Sequence, residues 1–439
     1  MFEHEEQQLR KVRAKLEDLP IPDVQLDDAI QQGFIIADSE WRMKRRKRRK
    51  SLWTVAIAAI FLLAFVTSIR VSPAFANVVA SIPGMGKLVE YIQYDKGLQG
   101  IMDNEYYQSV HASQMKDDLT LTINGVILDE SGIVISYTLE APYSIKNLNY
   151  KGIKLYHNGE EMPPGAMSYN NPNQKHTNRR EDLIQIVFGE KPSLRGQDFV
   201  LELQIDNAKE TVFSLPFTLP QEVKKGKVFV VNEEIEVENQ KMTIQEVTIY
   251  PLRVEVKMAF DESNTMKVLS FEDLRIEDDK GEVWSSIENG FSGQGFSEEG
   301  RAFYLQSNYF KQPKKLYVKL NKIQAILKDE SYLLVDLQKN EVLKQPSDGK
   351  FEVTTMTPMM LEGRVREEAI ESKHSFFLFY TAEDADGDEV DHASQGNWNY
   401  EGYENYNIEF VKQPYKNPIR IDFGAYPNYI NGDISVELK

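Results

Sequence analysis

Hydrophobic and polar residues alternate with a period of two along much of the chain beyond residue 119. Residues 119–123 and 133–137 both alternate in this way, and residues 129–132 form a polar turn between them. Alternation gives a β-strand one apolar face and one polar face. The same pattern predicts further strands at 153–156, 183–188, 199–205, 227–231, 242–249, 253–260, 316–320, 376–380, 408–411 and 419–423. We therefore expect a mainly β region that extends to the C-terminus.

Residues 52–69 form one apolar run of 18 residues without a charge, and residues 44–50 before it are all Lys or Arg. A helix of that length spans about 27 Å, close to the ~30 Å hydrocarbon core of a bilayer. The cations resist crossing and are attracted to the anionic cytoplasmic leaflet. The pattern predicts a single-pass protein of the cell membrane, with its N-terminus in the cytoplasm and its C-terminal region extracellular.

Three other interpretations fit parts of this segment. The apolar run could be a buried helix of a soluble protein, although the adjoining cations would resist burial. The cations alone are typical of a nucleic-acid patch. Ala74-Phe75-Ala76 has the form of a signal-peptidase site, so the run could belong to a cleaved leader. Its length and the fifty residues before it favour the membrane anchor instead.

Two short amphipathic helices are predicted before residue 40, because apolar residues recur there every three or four positions. The second helix carries Leu26, Ile30 and Phe34 on one face. Two helices of this length cannot bury a core of their own. They form either a flexible tail or a binding element whose apolar stripe is completed by a cytoplasmic partner, with these three residues as the contacts.

An internal repeat organises the β region. Three segments contain a strand, a polar turn with Gly159, Gly281 or Gly387, a Lys-Pro or Lys-Gln-Pro, and another alternating strand. Chance alignment of β patterns is the alternative explanation. A genuine repeat predicts about three tandem β-sandwich-like units of immunoglobulin-like size. The expected layout is a cytoplasmic helical tail at 1–50, a transmembrane helix at 51–70, a helical juxtamembrane segment at 71–110, and β-sandwich-like units at 111–222, 223–346 and 347–439.

Composition narrows the possible partners. The chain has 439 residues, a formal net charge of −17 and no cysteine. The first fifty residues carry 12 Lys/Arg and 10 Asp/Glu, so the negative charge lies in the rest of the chain. An acidic region of this kind is a poor nucleic-acid binder, and we expect no nucleic-acid partner. The absence of cysteine rules out disulfides and thiolate chemistry.

Two clusters could bind a ligand. Asp384, Asp386 and Asp388 alternate as calcium ligands can, but the spacing departs from that of an EF-hand loop, and a plain hairpin turn is the favoured interpretation. We therefore predict no metal site and no cofactor. Trp398, Tyr400 and Tyr403 lie in an aromatic-rich stretch that could contact a carbohydrate or a peptide, or could pack a sheet face.

Sequence signatures of enzymes are missing. The six histidines are scattered, and the chain contains no HExxH motif, no GxSxG motif and no Cys/His pair. We therefore expect that the protein is not an enzyme.

The order of segments resembles a known family. Ile21-Pro22, the helix at 26–36, the basic run, the apolar run and residues 71–76 resemble single-pass Gram-positive membrane proteins described as anti-sigma-factor-like. Residues 82–85, 89–98, 103–107 and the hairpin at 119–137 continue the resemblance, which covers about residues 20–140. It implies a cytoplasmic segment that sequesters an extracytoplasmic-function sigma factor, and an outer region that senses envelope stress. The absence of cysteine excludes the zinc-binding type of anti-sigma domain.

The sequence thus favours a membrane-anchored signalling protein of the anti-sigma type. A cell-envelope binding or scaffolding protein, whose β units contact wall polymer or another protein, is the alternative. The expected partners are the membrane, a sigma factor and an envelope ligand.

Overall fold

The computed structural model describes residues 6–11, 13, 95–169, 178–287, 293–294, 299–371 and 378–439. The chain divides into two compact units, 1–72 and 73–439. In the first unit, residues 6–11 and 13 are helical and exposed. The second predicted tail helix and the apolar run at 52–69 lie outside the described residues. Within the described ranges, no helix combines the length and the apolar character that a membrane crossing needs. The transmembrane helix therefore stays a prediction.

A mainly β fold is confirmed for the second unit. Its described residues form six antiparallel sheets, and the sheets share three hydrophobic cores in pairs. Each pair is a sandwich, because apolar residues from both of its sheets fill a single core. We refer to them as the first, second and third sandwich.

The first sandwich follows the helix Lys96–Asp103. Its described strands are β1 (Gln108–Lys116), β2 (Leu119–Asp129), β3 (Gly132–Glu140), β4 (Asn149–His157), β5 (Glu160–Glu161), β6 (Pro164–Tyr169), β7 (Arg179–Phe188), β8 (Asp198–Asp206) and β9 (Val212–Thr218). One sheet has the order β1-β2-β3-β7-β6 and the other the order β5-β4-β8-β9. Tyr137, Phe199 and Phe213 are among the large side chains that fill the core between them.

The second sandwich also has two sheets. Its described strands are β10 (Lys227–Val237), β11 (Gln240–Ile249), β12 (Val254–Phe260), β13 (Met266–Phe271), β14 (Arg275–Asp278), β15 (Val283–Trp284), β16 (Gly293–Gln294), β17 (Gly300–Leu305) and β18 (Leu316–Leu327), together with one C-terminal strand described below. The first sheet has the order β10-β11-β12-β17-β16. The second has the order β13-β18-β14-β15.

The third sandwich begins after a short 3-10 helix, Lys328–Glu330. Its described strands are β19 (Tyr332–Asp336), β20 (Glu341–Lys344), β21 (Phe351–Thr357), β22 (Met360–Arg366), β23 (Phe379–Glu383), β24 (His392–Tyr400), β25 (Tyr403–Phe410) and β26 (Ile419–Phe423). A second 3-10 helix, Glu367–Ala369, follows β22. One sheet has the order β20-β19-β26-β23 and the other the order β21-β22-β25-β24.

The last strand, β27 (Tyr429–Leu438), returns to the second sandwich. It pairs antiparallel with β18, from Leu316 opposite Leu438 to Gln324 opposite Tyr429. The third sandwich is therefore inserted between two neighbouring strands of the second. The observed strand pairing differs from the predicted units 223–346 and 347–439. The second sandwich consists of residues 227–327 and 429–438, and the third sandwich begins near residue 332. The predicted boundary at residue 346 falls in the connection from β20 to β21, inside the third sandwich.

The two connections to the third sandwich lie side by side. The backbone N–H of Ala325 donates to the carbonyl of Asn428 at 3.0 Å. The amide side chain of Asn428 donates back to the carbonyl of Ala325 at 2.8 Å. These reciprocal bonds join the end of β18 to the segment that leads into β27.

The helix Lys96–Asp103 packs against the second sandwich. Asp95 caps its N-terminus, since its Oδ1 accepts from the N–H of Gly97 at 2.7 Å and of Leu98 at 3.1 Å. A Cβ added to Gly97 would lie 2.7 Å from the backbone nitrogen of Ser307, so only glycine permits this approach. Burial raises the pKa of Asp95 from its ordinary value of 3.8 to about 6, against the opposing effect of the amide hydrogen bonds.

Buried polar contacts hold the first sandwich on the second. Asp129 accepts from the N–H of Ser131 at 2.7 Å and, across the junction, from the N–H of Leu252 at 2.6 Å. The guanidinium of Arg253 lies 5.1 Å from the ring centre of Tyr304. Burial raises the pKa of Asp129, while the nearby charge of Arg253 opposes that shift. The two sandwiches therefore share a buried hydrogen bond from Leu252 to Asp129 and an electrostatic attraction between the buried groups of Asp129 and Arg253.

Candidate functional site

The hairpin of β24 and β25 lies at one edge of the third sandwich. Its turn consists of Glu401 and Gly402, whose φ angles of 51° and 79° are both positive. Two central residues with positive φ define a type I′ turn, which matches the twist of the flanking strands, and Gly is favoured in such a turn. The turn places Tyr400 directly opposite Tyr403.

The three aromatic residues predicted as a contact surface share the outer face of this sheet. Trp398 is opposite Asn405 and Tyr400 is opposite Tyr403, and residues that face one another across strands point to the same side. Trp398 is 44% exposed and Tyr400 is 64% exposed, whereas Tyr403 is half-buried. On the opposite side of β25, Tyr406, Ile408 and Phe410 fill the core. The aromatic residues of this sheet therefore form two sets, one that packs in the core and one that is exposed on the outer face.

Two arginines from β22 complete the surface. The guanidinium of Arg364 lies 4.3 Å from the ring centre of Tyr403, and that of Arg366 lies 5.8 Å from it. Nε and Nη2 of Arg364 also donate to Oε2 of Glu352, at 2.9 and 2.8 Å, which fixes the orientation of the guanidinium. We define the aromatic face as Trp398, Tyr400, Tyr403, Arg364, Arg366 and Asn405.

The arginines were missed by the sequence analysis. They become part of the aromatic face because Arg364 pairs with Asn405 and Arg366 with Tyr403 between β22 and β25. Some forty residues separate these partners along the chain, and no local signal marks the pairing. By contrast, Gly402 is a local turn signal between Tyr400 and Tyr403, and a two-residue hairpin turn there places both tyrosines on one side.

The chemistry of the aromatic face suits a sugar polymer. Residues two apart on a strand lie about 6.8 Å apart, so Trp398 and Tyr400 present neighbouring rings along one line. Exposed rings can stack on the C–H faces of pyranose sugars, and indole, phenol and guanidinium groups supply hydrogen bonds at the edges. An exposed set of large aromatic side chains with adjacent polar groups is typical of a recognition surface.

Asp384, Asp386 and Asp388, the carboxylates considered as calcium ligands, lie in a turn. Asp384 Oδ1 accepts from the N–H of Asp386 at 2.9 Å and of Asp388 at 3.1 Å, and its Oδ2 accepts from the N–H of Lys416 at 2.9 Å. These bonds hold the pKa of Asp384 below its ordinary value, and the bond from the N–H of Lys416 has the largest effect. Asp386 forms an ion pair with the ammonium of Lys416. Within the described ranges, no group of three His, Cys, Asp or Glu side chains converges as metal ligands do.

A groove of about 830 Å³ runs between the first and second sandwiches. Several of its charged groups are already paired. Lys191 lies 2.8 Å from Glu130, and Lys257 lies 3.1 Å from Glu246. The groove is therefore lined by ion pairs, and it has fewer exposed rings than the aromatic face.

The predicted partner contacts Leu26, Ile30 and Phe34 lie outside the described residues. Their role stays a prediction from the sequence.

Two families of unknown function match parts of the chain. Residues 45–141 match a domain of unknown function, DUF4179, and residues 226–358 match a family of unknown function, DUF5643. Each match covers less than half of the chain. The first begins within the basic run and ends just beyond β3, and the second begins at the start of β10 and ends between β21 and β22.

No curated protein matches this chain. Among solved structures, the crystal structure of the conserved domain protein from Bacillus anthracis is similar to it. The similarity covers 54% of this chain and 84% of that chain, at 15% sequence identity and a TM-score of 0.38.

Proposed function

We propose that the chain is a membrane-anchored signalling protein of the anti-sigma type whose outer β region recognises a polysaccharide of the cell envelope. Recognition of a polysaccharide is supported by the aromatic face, which has two exposed rings and two arginines beside Tyr403. In this proposal, sugar binding outside the membrane controls whether the N-terminal tail holds a sigma factor.

The match to DUF4179 supports the signalling role. This domain is found in anti-sigma-factor-like proteins. Its match at 45–141 joins the basic and apolar runs to β1, β2 and β3 of the first sandwich. One family pattern thus includes the proposed anchor and the start of the proposed sensor. Leu26, Ile30 and Phe34 would then contact the sigma factor.

A deletion tests the signalling role. Removal of residues 1–40 should release the sigma factor and raise transcription of its regulon, as measured by RNA sequencing of cells that produce the shortened chain. A full-length chain with Leu26→Asp, Ile30→Asp and Phe34→Asp should give the same increase, since charge would disrupt the apolar stripe. Unchanged transcription in both strains would contradict the anti-sigma role.

Sugar binding is tested separately. The purified full-length chain in mild detergent should sediment with insoluble peptidoglycan, and Trp398→Ala combined with Tyr400→Ala should weaken the apparent affinity by at least about tenfold, which corresponds to ~1.4 kcal/mol of lost ring contacts. Leu343→Ala is the matched control, because Leu343 is 47% exposed in the other sheet of the same sandwich. Equal binding by all three chains would contradict recognition by the aromatic face.

A second candidate function is envelope scaffolding without signalling, and the aromatic face favours it equally. The two experiments distinguish the candidates. Scaffolding predicts sugar binding that depends on Trp398 and Tyr400, together with no transcriptional change when residues 1–40 are removed. Neither candidate requires enzymatic activity, and hydrolase assays of the full-length chain on wall polymers should show no turnover.

A further inference from the structure

The strand β10 has an open edge. It forms the end of the sheet β10-β11-β12-β17-β16, and within the described residues β11 is its hydrogen-bonded partner. The C-terminal end of β10 lies close to β27, where the N–H of Asn431 donates to Glu238 at 2.8 Å. Among the described residues, no strand other than β11 pairs with residues 228–231, while the ammonium of Lys227 before them donates to the carbonyl of Tyr309 at 2.6 Å. An antiparallel edge strand presents every second N–H and C=O group outward, ready to pair with another strand.

Within the open half of β10, residues 228–231 are apolar on both faces. Phe229 and Val231 pack against the core of the second sandwich. Val228 and Val230 point outward and are 51% and 69% exposed. An edge is usually protected by a proline or by charges within the strand, and residues 228–231 contain neither.

Charges of opposite sign flank this apolar segment. Lys224, Lys225 and Lys227 are exposed before it, and Glu233, Glu234 and Glu236 are exposed after it. A second β10 strand aligned antiparallel would bring the lysine end of each copy against the glutamate end of the other. A parallel alignment would place like charges together. The charge pattern therefore selects an antiparallel copy of the same strand.

We propose that β10 pairs antiparallel with β10 of a second copy of this chain, about a two-fold axis at Phe229. The regular stretch ends at Asn232, whose φ of 49° is left-handed, and Phe229 is the central residue of 227–231. In this register Val228 of one copy faces Val230 of the other, and the lysines before the segment lie at the same end as the glutamates that follow it in the other copy. The two five-stranded sheets become one continuous sheet across the dimer, and four exposed valines are buried.

The absence of cysteine permits a direct test. Val228→Cys and Val230→Cys are made in separate, differently tagged full-length chains, which are purified in mild detergent, mixed and oxidised. Directly opposed residues have Cα atoms about 4.5–5.5 Å apart, within reach of a disulfide. The mixture should therefore form a covalent dimer that carries both tags. Each variant alone should form at least about fivefold less, because like residues are offset along the strands.

Leu343→Cys is the matched control, since Leu343 is 47% exposed on β20, an edge strand of another sheet. A mixed dimer no more abundant than the Leu343→Cys dimer would overturn the proposal. Stronger linkage of Val230→Cys with itself than with Val228→Cys would overturn the register at Phe229.

The unmodified chain provides a second measurement. Light scattering should show a dimer, and Val230→Lys should shift the population to monomer without a change in the far-ultraviolet circular dichroism spectrum, because this exposed residue packs no core. A wild-type chain that stays monomeric at every concentration measured would contradict self-pairing.

Discussion

Tyr106 follows the helix Lys96–Asp103, which we call the junction helix, and its hydroxyl connects this end of the helix to two other segments. It donates to the carbonyl of Leu128 at 2.7 Å and accepts from the N–H of Lys224 at 3.0 Å. The ring is fully buried and lies 5.8 Å from that of Phe310. A single side chain therefore links β2, the connection between the first two sandwiches, and a loop of the second sandwich.

Tyr106→Phe should lower the free energy of unfolding by about 1–3 kcal/mol, because both polar partners lose a buried hydrogen bond. Urea unfolding of the full-length chain measures the change. Tyr143→Phe is the control, since Tyr143 is 44% exposed and donates over a long 3.4 Å to the carbonyl of Asp117. Equal losses in the two variants would show that burial of the Tyr106 hydroxyl contributes little.

At the scale of elements, β27 completes the core of the second sandwich from the far end of the chain. Ile430, Val436 and Leu438 are buried in that core, and Val436 faces Val318 on β18. The core of the second sandwich therefore depends on a strand that begins about a hundred residues after the end of β18. Such a non-local pairing adds loop-closure entropy to the cost of forming the sheet.

Val436→Asp should destabilise the second sandwich by about 3 kcal/mol or more, because it places an unpaired carboxylate in an apolar core. Limited proteolysis should then cleave within residues 227–327. Ser435→Asp introduces the same charge at the neighbouring exposed position and should leave the protease resistance intact. Cleavage at equal rates in the two variants would contradict the role of β27.

Alternation predicted the strands that have one buried face. The predictions at 242–249 and 253–260 correspond to β11 and β12, where apolar and polar neighbours point to opposite sides. The alternation pattern did not predict β24, because this strand lies at a sheet edge and is largely exposed on both faces. The aromatic residues there were recognised by their number, but their separation into an outer and an inner set depends on the register with β25.

The sequence repeat has a structural counterpart, although the predicted domain boundaries differ from the observed ones. The two strands of each repeat pair antiparallel, as β4 with β8, β14 with β18, and β23 with β26. The residues of the local turns determine how the strands within each repeat are arranged. The return of β27 to β18 depends on side-chain packing between distant segments, and no local pattern encodes it.

At the scale of the whole molecule, the contact between the junction helix and the second sandwich depends on the protonation of Asp95. The raised pKa, about 6, means that the folded chain binds this proton more tightly than the unfolded chain does. Its stabilising contribution is fully present below pH 3.8 and is lost as the pH rises through about 6. The charged form at neutral pH therefore weakens this contact.

Asp95→Asn should raise the melting temperature of the full-length chain at pH 7, and the gain over wild type should shrink toward pH 4. The amide keeps an oxygen that can cap the helix, but it carries no charge to desolvate. Thermal unfolding from pH 4 to pH 8 measures the difference. Asp103→Asn, at an exposed position of the same helix, should show no such trend. A gain that is independent of pH would contradict this account of Asp95.

The insertion of the third sandwich has a mechanical consequence. Its two covalent connections lie side by side at Ala325 and Asn428, so a load applied to the aromatic face is divided between two connections to adjacent strands. Such a load pulls β18 and β27 together from one end. The second sandwich, rather than either end of residues 73–439, is therefore the part that receives a force applied to the third sandwich.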